Sequence, residues 1–290
     1  MKPGKAKSGI AYWMRRVIEK IDRADKRLDS KAVHDLRVAL RRCRVVGKEF
    51  RQIDPDKDWK KMRRQGAALF HSLSDLRDCQ VMQHWVKKLG KESDCPTAVL
   101  LLHAERQEKV LQEHAKHALH QFDRKRWKSL AARLSRRSAR VLPGSNVFQA
   151  LALEKWTAAR RLEHVALRTG NGADFHKLRI AIKKFRYVVE NLLPQLEGEW
   201  TSSLKKIQDL LGEIHDLDVL IQNAESIGAF RSTESRQLWE TIQTARRMRI
   251  EHYRRLMLGK DSLWRVWRSE LPRPPVRDTR GQISAKQRLG

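Results

Sequence analysis

His34-Asp-Leu-Arg37-Val-Ala-Leu-Arg41-Arg42-Cys-Arg44 and His176-Lys-Leu-Arg179-Ile-Ala-Ile-Lys183-Lys184-Phe-Arg186 are two versions of one pattern, and their reading decides the fold. At about 100° per residue, His34, Arg37, Arg41, Arg44 and Lys48 fall within an arc of about 80° on one helix face. Leu36, Ala39, Leu40, Cys43, Val46 and Phe50 take the opposite face, which is therefore the core side. In the second copy His176, Arg179, Lys183 and Arg186 share one stripe, and Leu178, Ala181, Ile182, Phe185, Val188 and Leu192 share the other. Arg42 and Lys184 sit at matching flank positions, and Tyr187 is the one aromatic residue beside either stripe.

The copies lie 176 − 34 = 142 residues apart, about half the chain. A second pair follows in the same order: Leu73-Ser-Asp-Leu-Arg-Asp78-Cys-Gln-Val81 matches Leu211-Gly-Glu-Ile-His-Asp216-Leu-Asp-Val219, at 211 − 73 = 138. Two motifs repeated in order imply a duplicated unit. The reading is an all-α fold of two pseudo-symmetric helical bundles, about four helices each, with antiparallel neighbours. Apolar spacing of three and four predicts helices over 9–27, 31–51, 57–72, 77–90, 97–121 and 126–140, then 146–168, 174–193, 200–212, 216–227, 232–258 and 261–269. Residues 142–146, LPGSN, divide half one, about 8–142, from half two, about 143–270. Residues 271–290 have three prolines and almost no apolar pattern, and read as a disordered basic tail.

Charge then narrows the partner. The 290 residues include 62 Lys+Arg against 34 Asp+Glu, a net charge of +28, so a bound polyanion is the natural counter-charge. An ordinary exposed helix mixes signs, because like charges at i,i+4 destabilise by about 0.2–0.5 kcal/mol each. From His34 to Lys48 the only acid before Lys48 is Asp35. Each stripe spans about 20 Å at about 1.5 Å per residue, enough to follow successive phosphates along a chain. Guanidinium forks suit phosphate oxygens. Single-stranded nucleic-acid platforms add stacking rings, which the stripes lack. Trp13, Trp85, Trp156 and Trp239 lie in apolar helical patterns and read as core or edge packing. Nucleic-acid backbone binding is the alternative reading, with weaker affinity expected.

Cys43, Cys79 and Cys95 are odd in number and form no C-x-x-C pair, which fits a reducing cytosol. The longest uninterrupted apolar stretch, 98–102, is far short of the roughly 20 residues of a membrane span. The expectation is a cytoplasmic protein with no membrane partner.

The paired H-x-x-R-x-x-x-[RK]-[RK]-x-R motifs, each followed by an [RH]-D-x-x-V element, resemble the CHAD family, the conserved-histidine α-helical domain, over about residues 8–270. The resemblance implies two four-helix bundles around a basic surface or central channel, binding of inorganic polyphosphate, and recruitment to polyphosphate granules. It makes His34, Arg37, Arg41, Arg42 and Arg44, with His176, Arg179, Lys183, Lys184 and Arg186, the leading ligand contacts. Arg63 and Arg64, and Lys205 and Lys206, are similar to the family's third-helix contacts. The sequence departs from the family pattern at Ser74, where the other half has Gly212, and at His215, where an arginine is expected.

Chemistry other than binding is poorly supplied. His34-Asp35 and His215-Asp216 have the form of an HD metal pair, but their repeat equivalents place Lys177 for Asp35 and Arg77 for His215. His114, His117 and His120 drift around a helix, with no acid or cysteine to complete a metal site. No alternating E-x-E-x-K strand, Gly-rich phosphate loop or nucleophile elbow occurs. The expectation is a non-catalytic protein with no cofactor and no metal.

Overall fold

The computed structural model describes residues 9–91, 95–230 and 235–272. Among them the first half forms α1 Gly9–Lys26, α2 Ser30–Ile53, α3 Lys57–Gln65, α4 Ala67–Leu89, α5 Cys95–His120 and α6 Arg124–Ser138. The second forms α7 Asn146–Thr169, α8 Gly172–Leu192, a short 3-10 turn Pro194–Leu196, α9 Glu197–Ser226, α10 Ser235–Met257 and α11 Leu263–Ser269. The fold is all-α. From residue 273 onward the segment read as a basic tail lies outside the described residues.

The two stripe helices start the same way. Asp29 accepts a hydrogen bond from the Ala32 N–H at 2.7 Å, and Asn171 accepts one from the Asp174 N–H at 2.8 Å. These caps are 171 − 29 = 142 residues apart, the spacing of the stripes themselves. Each satisfies a donor that the first turn leaves unpaired, worth about 1 kcal/mol. Gly170, at φ +67°, closes α7 in the left-handed region just before the second cap.

Two boundaries differ from the sequence reading. The breaks expected at 73–76 and 213–215 are absent: α4 and α9 each run unbroken through the second motif. Their Ser, Asp, Arg and His residues look like punctuation, but they are the polar stripe of a helix whose other face is buried through Leu73, Leu76, Leu211 and Ile214. The actual break in half one is Gly66, where an added Cβ would stand 3.3 Å from Leu40 and 3.5 Å from the Trp127 ring.

Within each half α1 packs on α2 and α4 on α5, as α7 does on α8 and α9 on α10. Between halves α2 packs on α8 and α4 on α9. Neither hydrophobic core belongs to one half. The larger runs from Ile10 and Met14 of α1 through Leu36 and Leu40 of α2 to Leu178 and Ile182 of α8 and Leu271 near the end. The smaller joins Met82, Trp85 and Leu100 to Leu217, Leu220 and Ile242. Six of the nine tryptophans are buried, and Trp239 is exposed. Among the described residues no helix is long and apolar enough to cross a membrane.

Candidate functional site

Where α2 and α8 meet α4 and α9, their polar faces enclose a cleft of about 560 Å³. His34, Arg37 and Arg41 enter from α2, and His176, Arg179 and Lys183 from α8. The second motifs complete it: Arg77 and Asp78 come from α4, His215 and Asp216 from α9. The long helices carry these residues inward because their opposite faces are anchored in the shared core.

Positive charge is crowded here and partly stripped of water. Desolvation, with Arg41, Arg77 and Arg179 nearby, pushes Arg37 down to about 10 against the pull of Asp78; it stays charged at neutral pH. Lys183 is buried and falls well below the usual lysine range, first from desolvation and then from Arg179, Arg41 and Arg37. The Nε atoms of Arg37 and Arg179 are buried and have no hydrogen-bond partner within the protein. An unmade bond to a buried donor costs about 1–3 kcal/mol. An anion's oxygens would supply it.

Acids are present, but as supports. Asp78 stands 3.6 Å from Arg37. Desolvation raises Asp216 against the opposing pull of Arg179. Arg77 donates to the Ser30 hydroxyl at 2.6 Å, which ties α4 to the start of α2. In the equivalent place in half two, the Nδ1 atoms of His176 and His215 lie 3.2 Å apart. Desolvation, then Arg179 and Lys183, lowers His176, and desolvation with Arg179, His176 and Lys183 takes His215 to about 3. The pair is therefore neutral, one ring donating and the other accepting.

The structure brings six of the expected contacts into the cleft and places the others elsewhere. Arg44 lies 4.4 Å over the Phe70 ring at the cleft's edge, close to Arg63 of α3. Lys48 and Lys184 are electrostatic neighbours across α2 and α8. Arg64 is exposed. Arg42 is a correction: it turns from the cleft, stacks between Trp13 at 4.4 Å and Tyr187 at 4.9 Å, and meets Glu190 at 2.6 Å. Arg186 is likewise buried and bonded to Glu190 at 2.5 Å, and Tyr187 is buried beside them. Lys205 and Lys206 lie outside the cleft itself, in an adjoining groove of about 610 Å³ that shares Asp209 and Glu213 with it and is lined by Arg249, His252 and Arg255 of α10. Lys205 is there paired with Asp209.

Sequence reasoning left out Arg77 and His215 as contacts, though their shared place in the repeated second motif was the signal. Among the described residues no three His, Cys, Asp or Glu side chains gather as a metal site.

Fold and cleft together define an all-helical protein organised around a cationic cleft between two repeated halves. The CHAD domain family model matches residues 13–225, most of the chain, and the chain belongs to that family. Its structure is similar to the crystal structure of the CHAD domain from the plant Ricinus communis, with a TM-score of 0.58 and 19% identity. That likeness covers 91% of this chain and 90% of the other, and at this identity it speaks for the fold. No curated protein matches the chain in sequence.

Proposed function

We propose that this protein binds inorganic polyphosphate along the cleft and does not cleave it. The observation that carries the reading is the set of Arg37, Arg41, Arg77, Arg179 and Lys183 converging from four helices on one cleft, with two of their buried donors unpaired. A repeating phosphate chain offers closely spaced oxygens on all sides and needs no stacking surface. The CHAD family is associated with polyphosphate binding, which agrees. Asp78 and Asp216 sit among arginines and hold them in place, a role that asks for no chemistry.

Nucleic-acid backbone is the second reading, favoured by the net charge of +28. Phe70 is the only ring of a Phe, Tyr or Trp lining the cleft, and Arg41 and Arg44 already cover it. Bases therefore gain no platform. Competition at matched ionic strength decides between the two: long-chain polyphosphate is expected to displace mixed-sequence RNA, and tighter binding of RNA would reverse the assignment. Affinity should fall steeply with salt as counterions are released. Incubation with polyphosphate should liberate no orthophosphate; steady release would make the protein an enzyme.

A further inference from the structure

The cleft's two ends differ in charge. On α2 the stripe that lines the cleft continues outward through Arg44 to Lys48, one turn farther on the same face. Arg63 flanks it from α3, and Lys184 faces Lys48 from α8. The Arg44 Nη1 and Arg63 Nε atoms are buried without a hydrogen-bond partner in the protein. The Arg44 guanidinium lies over the Phe70 ring, a cation–π contact that favours this position.

On α8 the corresponding continuation is tied up in a buried ion cluster. The equivalent of Lys48 is Glu190, at 190 − 48 = 142, and it binds both Arg186 and Arg42. Asp209 lines the cleft at the position equivalent to the exposed His71, at 209 − 71 = 138, and Glu213 lies one turn beyond it. An anionic chain leaving over the second half meets cations already held by carboxylates, Lys205 by Asp209 and Arg249 by Glu213. Over the first half Arg44, Arg63, Lys48 and Lys184 are in no salt bridge among the described residues, although Asp75, the equivalent of Glu213, is exposed on α4.

We propose that a bound polyphosphate chain leaves the cleft at one end only, and that Arg44, Arg63, Lys48 and Lys184 form an outer anion-binding site for its emerging phosphates. This rests on the cleft being the polyphosphate site. It gives the complex a polarity that the twofold character of the repeat would otherwise forbid. Short oligophosphates fill the cleft alone, and long chains engage both sites, the second contact being intramolecular.

The test compares tripolyphosphate with long-chain polyphosphate by calorimetry on the full chain. The outer variant combines Arg44→Gln, Arg63→Gln, Lys48→Ala and Lys184→Ala; the opposite-end variant combines Lys205→Ala and Lys206→Ala. The outer variant should keep tripolyphosphate affinity within about twofold and lose about tenfold or more for long chains. Its salt slope for long chains should shrink by about 3, from four lost contacts at about 0.7 each. The opposite-end variant should leave both ligands within about twofold. An outer variant that matches wild type on long chains, or an opposite-end variant that loses as much, overturns the one-ended path. Should the fourfold change unfold the protein, Lys48→Glu at its exposed site must still weaken long chains and spare tripolyphosphate, and failure to do so also overturns it. A wild-type protein that binds neither ligand refutes the cleft reading itself, which separates the two failures.

Discussion

Two places in this molecule are related by the repeat yet differ in how their charge is held. In one, Arg42 and Arg186 share the buried Glu190, and Trp13 and Tyr187 sandwich the Arg42 guanidinium. Trp13 donates to Asn191 at 2.6 Å. In the other, the equivalent positions hold Lys155, Lys184, Arg44, Val45, Lys48 and Glu49, where Lys155 pairs with Glu49 at 3.1 Å and the remaining cations repel. The first site is closed, with two guanidinium groups held on one carboxylate, and the second is open and more strongly basic. The repeated motif gives both places one helical frame, and a carboxylate, Glu190, where the other copy has Lys48 makes one of them a structural clasp.

The largest effect should come from breaking the clasp. Glu190→Ala strands two buried guanidinium groups, and loss of one partner from a buried ion cluster costs about 3–5 kcal/mol. A urea melt should show this as a lowered midpoint, while Lys48→Ala, at the matching open site, moves it little. Equal shifts would mean the two places are not differently built.

Next in size is the cleft. Arg37→Ala with Arg179→Ala should weaken long-chain polyphosphate by about 100-fold, from two charge-assisted contacts worth about 1.5–3 kcal/mol each and only partly additive. The same pair should leave the melting temperature unchanged or slightly raised, because like-charge repulsion is relieved. Unfolding of this variant would make the cleft arginines structural, like Arg42.

A smaller change converts one place toward the other. Lys48→Glu puts a carboxylate among Arg44 and Lys184, and should raise stability by up to about 1 kcal/mol at this exposed position. A thermal melt checks it in ligand-free buffer, and a fall in midpoint would contradict the comparison.

The smallest effect is that of pH. The folded protein holds His176 and His215 below the ordinary histidine range, whereas the unfolded chain protonates near about 6.5. Stability is therefore full above that value and declines as pH falls through it, because the unfolded state takes up the protons first. A bound polyanion reverses the cause by favouring imidazolium. Affinity should rise severalfold between pH 7.5 and 5.5, with uptake of protons, and His176→Gln with His215→Gln should flatten the profile.

Helical periodicity and the repeat spacing were enough to read the helices and to put His34, Arg37, Arg41, His176, Arg179 and Lys183 on two inward stripes. Arg42 and Arg186 went astray for a tertiary reason. From Phe185 to Leu193 every residue of α8 and its cap is buried, so the face that one-dimensional periodicity assigns to solvent is covered by α1 and α2. Nothing in the local pattern says which neighbour will cover a helix face. The second motifs were misread as helix ends for a related reason: polar residues mark a loop only when no cleft requires them on a helix.

The core shared between the halves has a consequence for how the chain reaches its native state. Ile10 and Leu271 belong to one hydrophobic cluster, so residues from both ends of the described chain must be in place before that cluster is complete. During synthesis the first half emerges with apolar faces of α1, α2 and α4 whose partners are not yet made. Contacts of such long sequence separation slow the search. The first half alone, residues 1–142, should stay protease-sensitive and bind hydrophobic dyes, gaining protection only when the second half is supplied on the same chain or in trans.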